Sequence, residues 1–204
     1  MGYEQAGKEQ WHPELHSSPR EQGRENQNPS DVSFFSLIRE DLQTHEGDWL
    51  DAGFLALAAH RFGNWRMAWP RWIRPFGTIL YRVWRRIVQW LFGIKLDYTV
   101  RVGRRVHIWH FGGMILGAES IGDDVHIRQN TTFGVRKRNE VGKPIIEDRV
   151  DIGCGSVIVG RIVIGHDSVI GANTVVLNHV PAHSVVVGNP GRVVKTLQDV
   201  DDRT

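Results

Sequence analysis

The chain has 204 residues, with 25 Lys plus Arg, 23 Asp plus Glu, 22 Gly, 8 Trp and one Cys. That length supports one substantial core, or a small domain beside a larger one, and 41% hydrophobic with 24% charged residues excludes collagen-like and wholly disordered chains. One cysteine excludes an intramolecular disulfide, and with no basic-flanked apolar stretch at the N-terminus a cytoplasmic location is expected.

The net charge of +2 is unevenly spread. Residues 1–60 carry 4 basic against 11 acidic side chains, residues 61–110 carry 11 against 1, and residues 111–204 carry 10 against 11. Residues 1–30 are polar, nearly free of aliphatics and without helical or strand periodicity, so they cannot offset the entropy of ordering. They are expected to be a disordered tail.

An α-helical domain is expected over residues 31–95. Asp31 or Ser33 can cap a first helix through Phe34, Phe35, Leu37, Ile38 and Leu42, and a second spans Asp51–Trp65 with Ala52, Leu55, Ala56, Ala59 and Phe62 on one face. After Pro70 and Pro75 a third helix carries Phe76, Ile79, Leu80, Val83, Trp84, Ile87 and Leu91 on one side and Arg82, Arg85, Arg86 and Gln89 on the other. Gly93 is its stop. Residues 65–95 hold five Trp and six Arg. This combination fits weak membrane-surface association, but tryptophans packed between helices and against the next domain, with a solvated arginine face, is the preferred reading. No nucleic-acid motif accompanies the charge, so no nucleic-acid partner is expected.

From Val102 the period becomes six. Aliphatic or aromatic residues recur at Val102, Ile108, Met114 or Ile115, Ile121, Ile127 and Phe133, and again at Ile146, Ile152, Ile158, Ile164, Ile170 and Val176. A helix would scatter these around its circumference, whereas short strands joined by tight turns place each of them inside. Three hexapeptides per turn make a triangular prism. The pattern, over roughly residues 102–181, resembles the left-handed parallel β-helix of the hexapeptide-repeat acyltransferases. The expected fold is therefore mainly β, a left-handed parallel β-helix over residues 96–187 behind the helical domain. The thirteen-residue step from Phe133 to Ile146 breaks the repeat, so Val135–Ile145 is expected to leave the coil as a basic, functional loop.

Three motifs narrow the resemblance. They are Ile108-Trp109-His110-Phe111-Gly112-Gly113, Ile127-Arg128-Gln129-Asn130-Thr131-Thr132-Phe133-Gly134 and Gly188-Asn189-Pro190-Gly191-Arg192. With His60-Arg61-Phe62-Gly63-Asn64-Trp65 in the helical region, they resemble the serine acetyltransferase family, including its shorter members from polysaccharide gene clusters. The resemblance implies acetyl transfer from acetyl-CoA to a hydroxyl, with His110 as general base. A neutral imidazole with an ordinary pKa of roughly 6.5 can take the alcohol proton as the oxygen attacks the thioester. Gly112 and Gly113 leave room for a ligand beside the backbone.

The local departures from the family concern the acceptor. Lys95 stands where the family has the carboxylate that orients the base, and Asp97, two residues on, is the candidate substitute. Trp109 replaces an Asp beside the histidine, and Gly142-Lys143 replaces an Arg-His pair ahead of Pro144. Trp109 suits a sugar face and Lys143 a carboxylate or phosphate, so the acceptor is either L-serine, as the family implies, or a sugar hydroxyl in exopolysaccharide or lipopolysaccharide synthesis.

For CoA the resemblance implies a groove between prisms of a homotrimer. Gly153, Gly155, Gly171 and Ala172 would admit the pantetheine arm, and a C-terminal segment over residues 188–204 would supply Gly188 beside the nucleotide with Arg192 and Lys195 as phosphate partners. Gly191 replaces the family's usual Ala. Cys154 reads as a small coil residue rather than a nucleophile. The same prism supports carbonic anhydrases with three histidine ligands, but the histidines here lack their spacing, so no metal is expected. A non-catalytic scaffold is the remaining alternative.

Overall fold

The computed structural model describes residues 25–137 and 142–197. Most of the stretch expected to be a tail, residues 1–24, lies outside the described residues, as do 138–141 of the long loop and 198–204 at the C-terminal end. The last part of the expected tail meets the helices. The Gln27 backbone N–H donates to Asn64 Oδ1 at 3.1 Å, and the Asn28 side-chain amide donates to the Arg61 carbonyl at 2.9 Å.

Helix α1 (Phe34–Thr44) starts where Ser33 Oγ accepts from the Ser36 N–H at 3.2 Å. Helix α2 (Ala52–Trp65) starts where Asp51 accepts from the Phe54 N–H at 2.8 Å. Each cap satisfies a donor that a first helical turn leaves orphaned. A single 3-10 turn, Arg66–Ala68, leads on towards α3 (Arg74–Phe92), which has Pro75 in its first turn and ends at Gly93 with φ +67°. Glycine takes that left-handed position without a Cβ penalty.

The side on which α3 packs differs from the sequence reading. Most of its apolar stripe faces outward, with Phe76 72%, Ile79 61% and Leu91 67% exposed; Trp84 of the stripe packs against the core beside Phe62, and the fully buried contacts come from Gly77, Tyr81 and Val88. The cause is the close approach that small residues permit. A Cβ on Gly63 would lie 2.6 Å from the Tyr81 ring, and one on Gly77 would lie 2.8 Å from the Trp69 ring. The tryptophans divide accordingly. Trp65 stacks on Phe34 at 4.4 Å between ring centroids and meets Trp69 edge-on at 5.1 Å, while Trp72 and Trp90 are exposed. No helix among the described residues is long and apolar enough to cross a membrane.

Fully buried Arg61 joins the helices to the prism. Its Nε and Nη2 donate to the two Asp41 carboxylate oxygens of α1 at 2.9 and 3.2 Å, and its Nη1 and Nη2 donate to the Val102 and Gly103 carbonyls at 2.7 and 2.6 Å. Both charges are buried, and this dense hydrogen bonding is what makes their burial tolerable.

The prism strands follow in chain order. They are β1 (Ile94–Lys95), β2 (Arg101–Val102), β3 (His107–Trp109), β4 (Met114–Leu116), β5 (Ser120–Ile121), β6 (His126–Arg128), β7 (Thr132–Gly134) and β8 (Ile145–Ile146). The later coils add β9 (Asp151–Ile152), β10 (Val157–Val159), β11 (Val163–Ile164), β12 (Val169–Ile170), β13 (Val175–Val176), β14 (Ser184–Val187) and β15 (Arg192–Thr196). Every third strand stacks on the same face. The first face is β1-β4-β7-β10-β13, the second is β2-β5-β8-β11, and the third is β3-β6-β9-β12-β14 with β15 added antiparallel as a hairpin. All other pairings are parallel, and the solenoid is the left-handed β-helix expected from the repeat. Ile121, Ile127, Phe133, Ile146, Ile152, Ile158, Ile164 and Ile170 all point inward and are at most 2% exposed.

The register resolves the irregularity at Met114 and Ile115. Leu116, not Ile115, aligns with Phe133, Ile158 and Val176 along the first face, while Ile108 aligns with Ile127, Ile152 and Ile170 along the third. The later coils pass from the third face to the first in six residues. The first coil uses eight, from Ile108 to Leu116, and the excess lies at His110-Phe111-Gly112.

Candidate active site

The edge where the third face turns into the first carries most of the residues singled out from the sequence. His110, Gly112 and Gly113 form its first turn, Gln129 and Asn130 its second, Gly153–Gly155 its third, Gly171–Asn173 its fourth and Gly188–Gly191 its last. Backbone hydrogen bonds hold these turns in a column. The Asn130 N–H donates to the Gly112 carbonyl at 3.0 Å, the Gly155 N–H to Gln129 at 2.9 Å, and the Asn173 N–H to Cys154 at 2.8 Å. The last turn is closed by the Val175 N–H donating to Gly188 at 3.0 Å and the Gly191 N–H donating to Val175 at 2.8 Å. Four coil steps separate His110 from Gly188, about 19 Å at the usual interstrand spacing.

Small side chains along this edge are a packing requirement. A Cβ on Gly153 would lie 2.5 Å from the Ala172 nitrogen, and one on Gly171 would lie 2.8 Å from Val187 Cγ1. Gly155, at φ +71°, and Asn173, at φ +56°, occupy the left-handed turn position on successive levels. The column is consequently narrow and presents backbone along its length.

His110 stands on the long first turn, exposed, at φ +60°. Its ring makes no hydrogen bond to any described residue. Phe111 ties the turn to the end of α3 by an edge-on contact with Phe92 at 5.5 Å, and the Met114 N–H donates to the Gly93 carbonyl at 2.9 Å. Trp109 points outward from the third face. Its indole stacks on His107 at 3.7 Å and donates to His126 Nδ1 at 2.9 Å, so one ring face and its N–H are engaged by the protein. Burial, with further lowering from His45, His126 and His110, pushes the His107 pKa down to about 4, and its ring is neutral.

Asp97 and Lys143 lie elsewhere in the protomer. Both belong to the edge between the first and second faces, Asp97 on the turn from β1 to β2 and Lys143 at the end of the long loop between β7 and β8. The Asp97 carboxylate accepts from Arg85 Nη1 at 2.9 Å and makes no hydrogen bond to His110. Gly142 rests against Arg161, the side chain that a Cβ would meet at 2.8 Å. Arg192 is exposed at the far end of the histidine edge, and Lys195 is exposed further along β15, opposite Val185.

Sequence reasoning passed over Gln129 and the His45–His107–His126 group. Gln129 lies on the second turn of the histidine edge with a buried Oε1 that has no partner among the described residues. The polar residue beside the inward Ile127 was visible, but a burial without a partner is a three-dimensional fact. Among the described residues, His166, Asp167 and His183 bring possible ligand atoms within 4.8 Å of one another. Both Asp167 oxygens accept from Arg149 at 2.7 Å, which suits an ion pair on the third edge better than a metal.

Fold and edge together define a hexapeptide-repeat protein of the left-handed β-helix class. No family model matches the chain. It is 34% identical over 175 residues to the serine acetyltransferase of Bacillus subtilis, covering 79% of this chain and 77% of that one. It is 38% identical over 150 residues to the serine acetyltransferase of Mycobacterium tuberculosis, covering 72% of this chain and 62% of the relative. The solved serine acetyltransferase of Neisseria gonorrhoeae, in complex with serine, superposes with a TM-score of 0.65 at 26% identity over 81% of this chain and 71% of that one. The chain belongs to the serine acetyltransferase family. It spans about half the length of the enterobacterial relatives it matches, 50% for that of Salmonella typhimurium.

Proposed function

We propose that the protein is an acetyl-CoA-dependent O-acetyltransferase that converts L-serine to O-acetyl-L-serine, with His110 as general base. The observation that carries this reading is the glycine-lined edge that runs from an exposed histidine to the Gly188 turn. The acceptor hydroxyl gives its proton to the imidazole as its oxygen bonds to the thioester carbon. The C–S bond then breaks, and the imidazolium returns the proton to the departing CoA sulfur. Backbone N–H groups of the Gly112–Gly113 turn would stabilise the tetrahedral oxyanion. CoA would lie along Gly153, Gly155, Gly171 and Ala172 and reach Gly188, with Arg192 and Lys195 near its phosphates.

The acting unit in this proposal is a homotrimer. Asp97 and Lys143 occupy a different edge from His110, and only a neighbouring prism would present them to it. Light scattering on the eluting protein tests this, with three protomers expected and a monomer contradicting it. The protein is proposed to work in the cytoplasm, and the exposed stripe of α3 is the surface that weak membrane association would use.

One observation favours a sugar acceptor as the second reading. Among the described residues no carboxylate hydrogen-bonds to His110, and Trp109 replaces an acidic neighbour that could hold an ammonium group. Release of free thiol from acetyl-CoA, measured with L-serine and with a panel of nucleotide sugars, decides between them. Turnover with serine supports the first reading, turnover only with a sugar replaces it with the second, and turnover with neither overturns both.

A further inference from the structure

A cavity of about 350 Å³ lies where the 3-10 turn and α3 meet the turn from β1 to β2. Arg66, Arg74, Arg82 and Arg85 line it, together with Tyr81 and Tyr98, and Asp97 is its acidic lining residue. Asp97 is committed to Arg85 at 2.9 Å, and among the described residues no carboxylate pairs with Arg66, Arg74 or Arg82. Arg66 is only 4% exposed. Its guanidinium lies 4.9 Å from the Tyr81 ring centroid and 4.6 Å from that of Tyr98, and Nη1 donates to Thr78 Oγ1 at 3.2 Å. Among the described residues its buried Nε has no acceptor, and neither does the buried Nε of Arg74.

A buried cation without a counter-ion is costly, and two ring faces with one hydroxyl and one weakly accepting Met67 sulfur, at 3.0 Å, replace only part of its hydration. Helix α2 continues to Trp65 and could have placed an apolar residue next, as a purely structural joint would favour. Four guanidiniums around one carboxylate, with two buried N–H donors still unused, instead match the needs of an oxyanion with several acceptor oxygens. The volume lies at the lower end of the usual range for small-molecule pockets, ~300–1,000 Å³.

We infer that this cavity binds a phosphate-bearing small anion, held by Arg66, Arg74, Arg82 and Arg85. Within the protomer the cavity lies on a different edge from His110, the edge that the proposed trimer turns towards a neighbour's histidine. Arg85 serves both partners, so an anion that engages it competes with Asp97, and removing the Asp97 charge should strengthen anion binding. The inference does not rest on acetyl transfer, because binding is read without turnover.

The experiment is titration calorimetry on the full chain at fixed ionic strength with three probes: inorganic pyrophosphate, a hexose 1-phosphate and CoA. The first two represent a free phosphate and a sugar phosphate as sources, and CoA controls for the histidine edge. Saturable binding of pyrophosphate or the hexose phosphate is expected, weakened at least ten-fold in Arg74→Gln/Arg82→Gln and unchanged in Arg71→Gln, which lies outside the lining. Asp97→Asn should tighten the same binding several-fold and provides the test if the double variant does not fold. The inference is overturned if neither phosphate probe saturates, if the folded double variant binds as tightly as the wild type, or if Asp97→Asn weakens binding.

Discussion

The prism and the helical region bury their apolar residues by different rules. In the prism each inward isoleucine is covered by the coil above and the coil below, so Ile127 sits between Ile108 and Ile152 in register and is fully buried. Helix α3 has an equally regular apolar stripe, but Phe76, Ile79, Leu80 and Ile87 are exposed, and the helix is held mainly through Tyr81, Gly77 and Val88, with Trp84 and Phe92 packed at the edge of the core. A six-residue repeat supplies its own cover, because the next repeat is the partner. A helical stripe records that cover is needed without saying what provides it.

The largest expected effect is at the joint between the two regions. Asp41→Ala leaves Arg61 buried without its carboxylate and should cost ~3–5 kcal/mol in urea unfolding. A loss below ~1 kcal/mol would mean that the helices and prism are coupled by something else. Within the prism, Ile152→Ala should cost ~2–5 kcal/mol, because the flanking coils cannot collapse into the space.

A pH effect of comparable size follows from buried histidines. Burial, with the nearby Arg61 charge, holds the His60 pKa at about 3 while its Nε2–H donates to the Val100 carbonyl at 2.8 Å, and His107 is held at about 4. Below the ordinary value of ~6.5 the unfolded chain takes up protons that the folded chain refuses. Stability should therefore fall as pH drops from ~6.5 to about 4, by about 1 kcal/mol per unit for each group, and His60→Gln should flatten part of that slope. A stability that is flat over this window would contradict the burial of both rings. The smallest effect should come from α3. Ile79→Ser/Ile87→Ser is expected to change protomer stability by no more than ~1 kcal/mol, whereas a loss as large as that of Ile152→Ala would show that the stripe is covered.

The contrast also explains what the sequence made legible. The prism could be read because Ile146 through Val176 repeat without interruption and each position has one possible inside. The cap at Ser33, one of the two candidates, and the stop at Gly93 were equally local and appear where expected, while Asp51, expected as the first residue of the second helix, caps it instead. The packed side of α3 was not legible, because it depends on how closely Gly63 and Gly77 admit Tyr81 and Trp69. At the site, His110 and the glycines share one edge because their spacing from the inward isoleucines is fixed. Asp97 was harder to place, since counting residues back from His110 ignores that the turn after β1 belongs to another edge. The two additional residues at His110-Phe111-Gly112 were hidden by Met114 and Ile115, which both look like acceptable repeat positions.

The proposed activity depends on His110, and the most direct test is free-thiol release from acetyl-CoA by His110→Ala in the presence of its acceptor. The expected result is a kcat at least ~100-fold lower with acetyl-CoA binding retained, as loss of a general base requires. Turnover at the wild-type rate in the folded variant would contradict it.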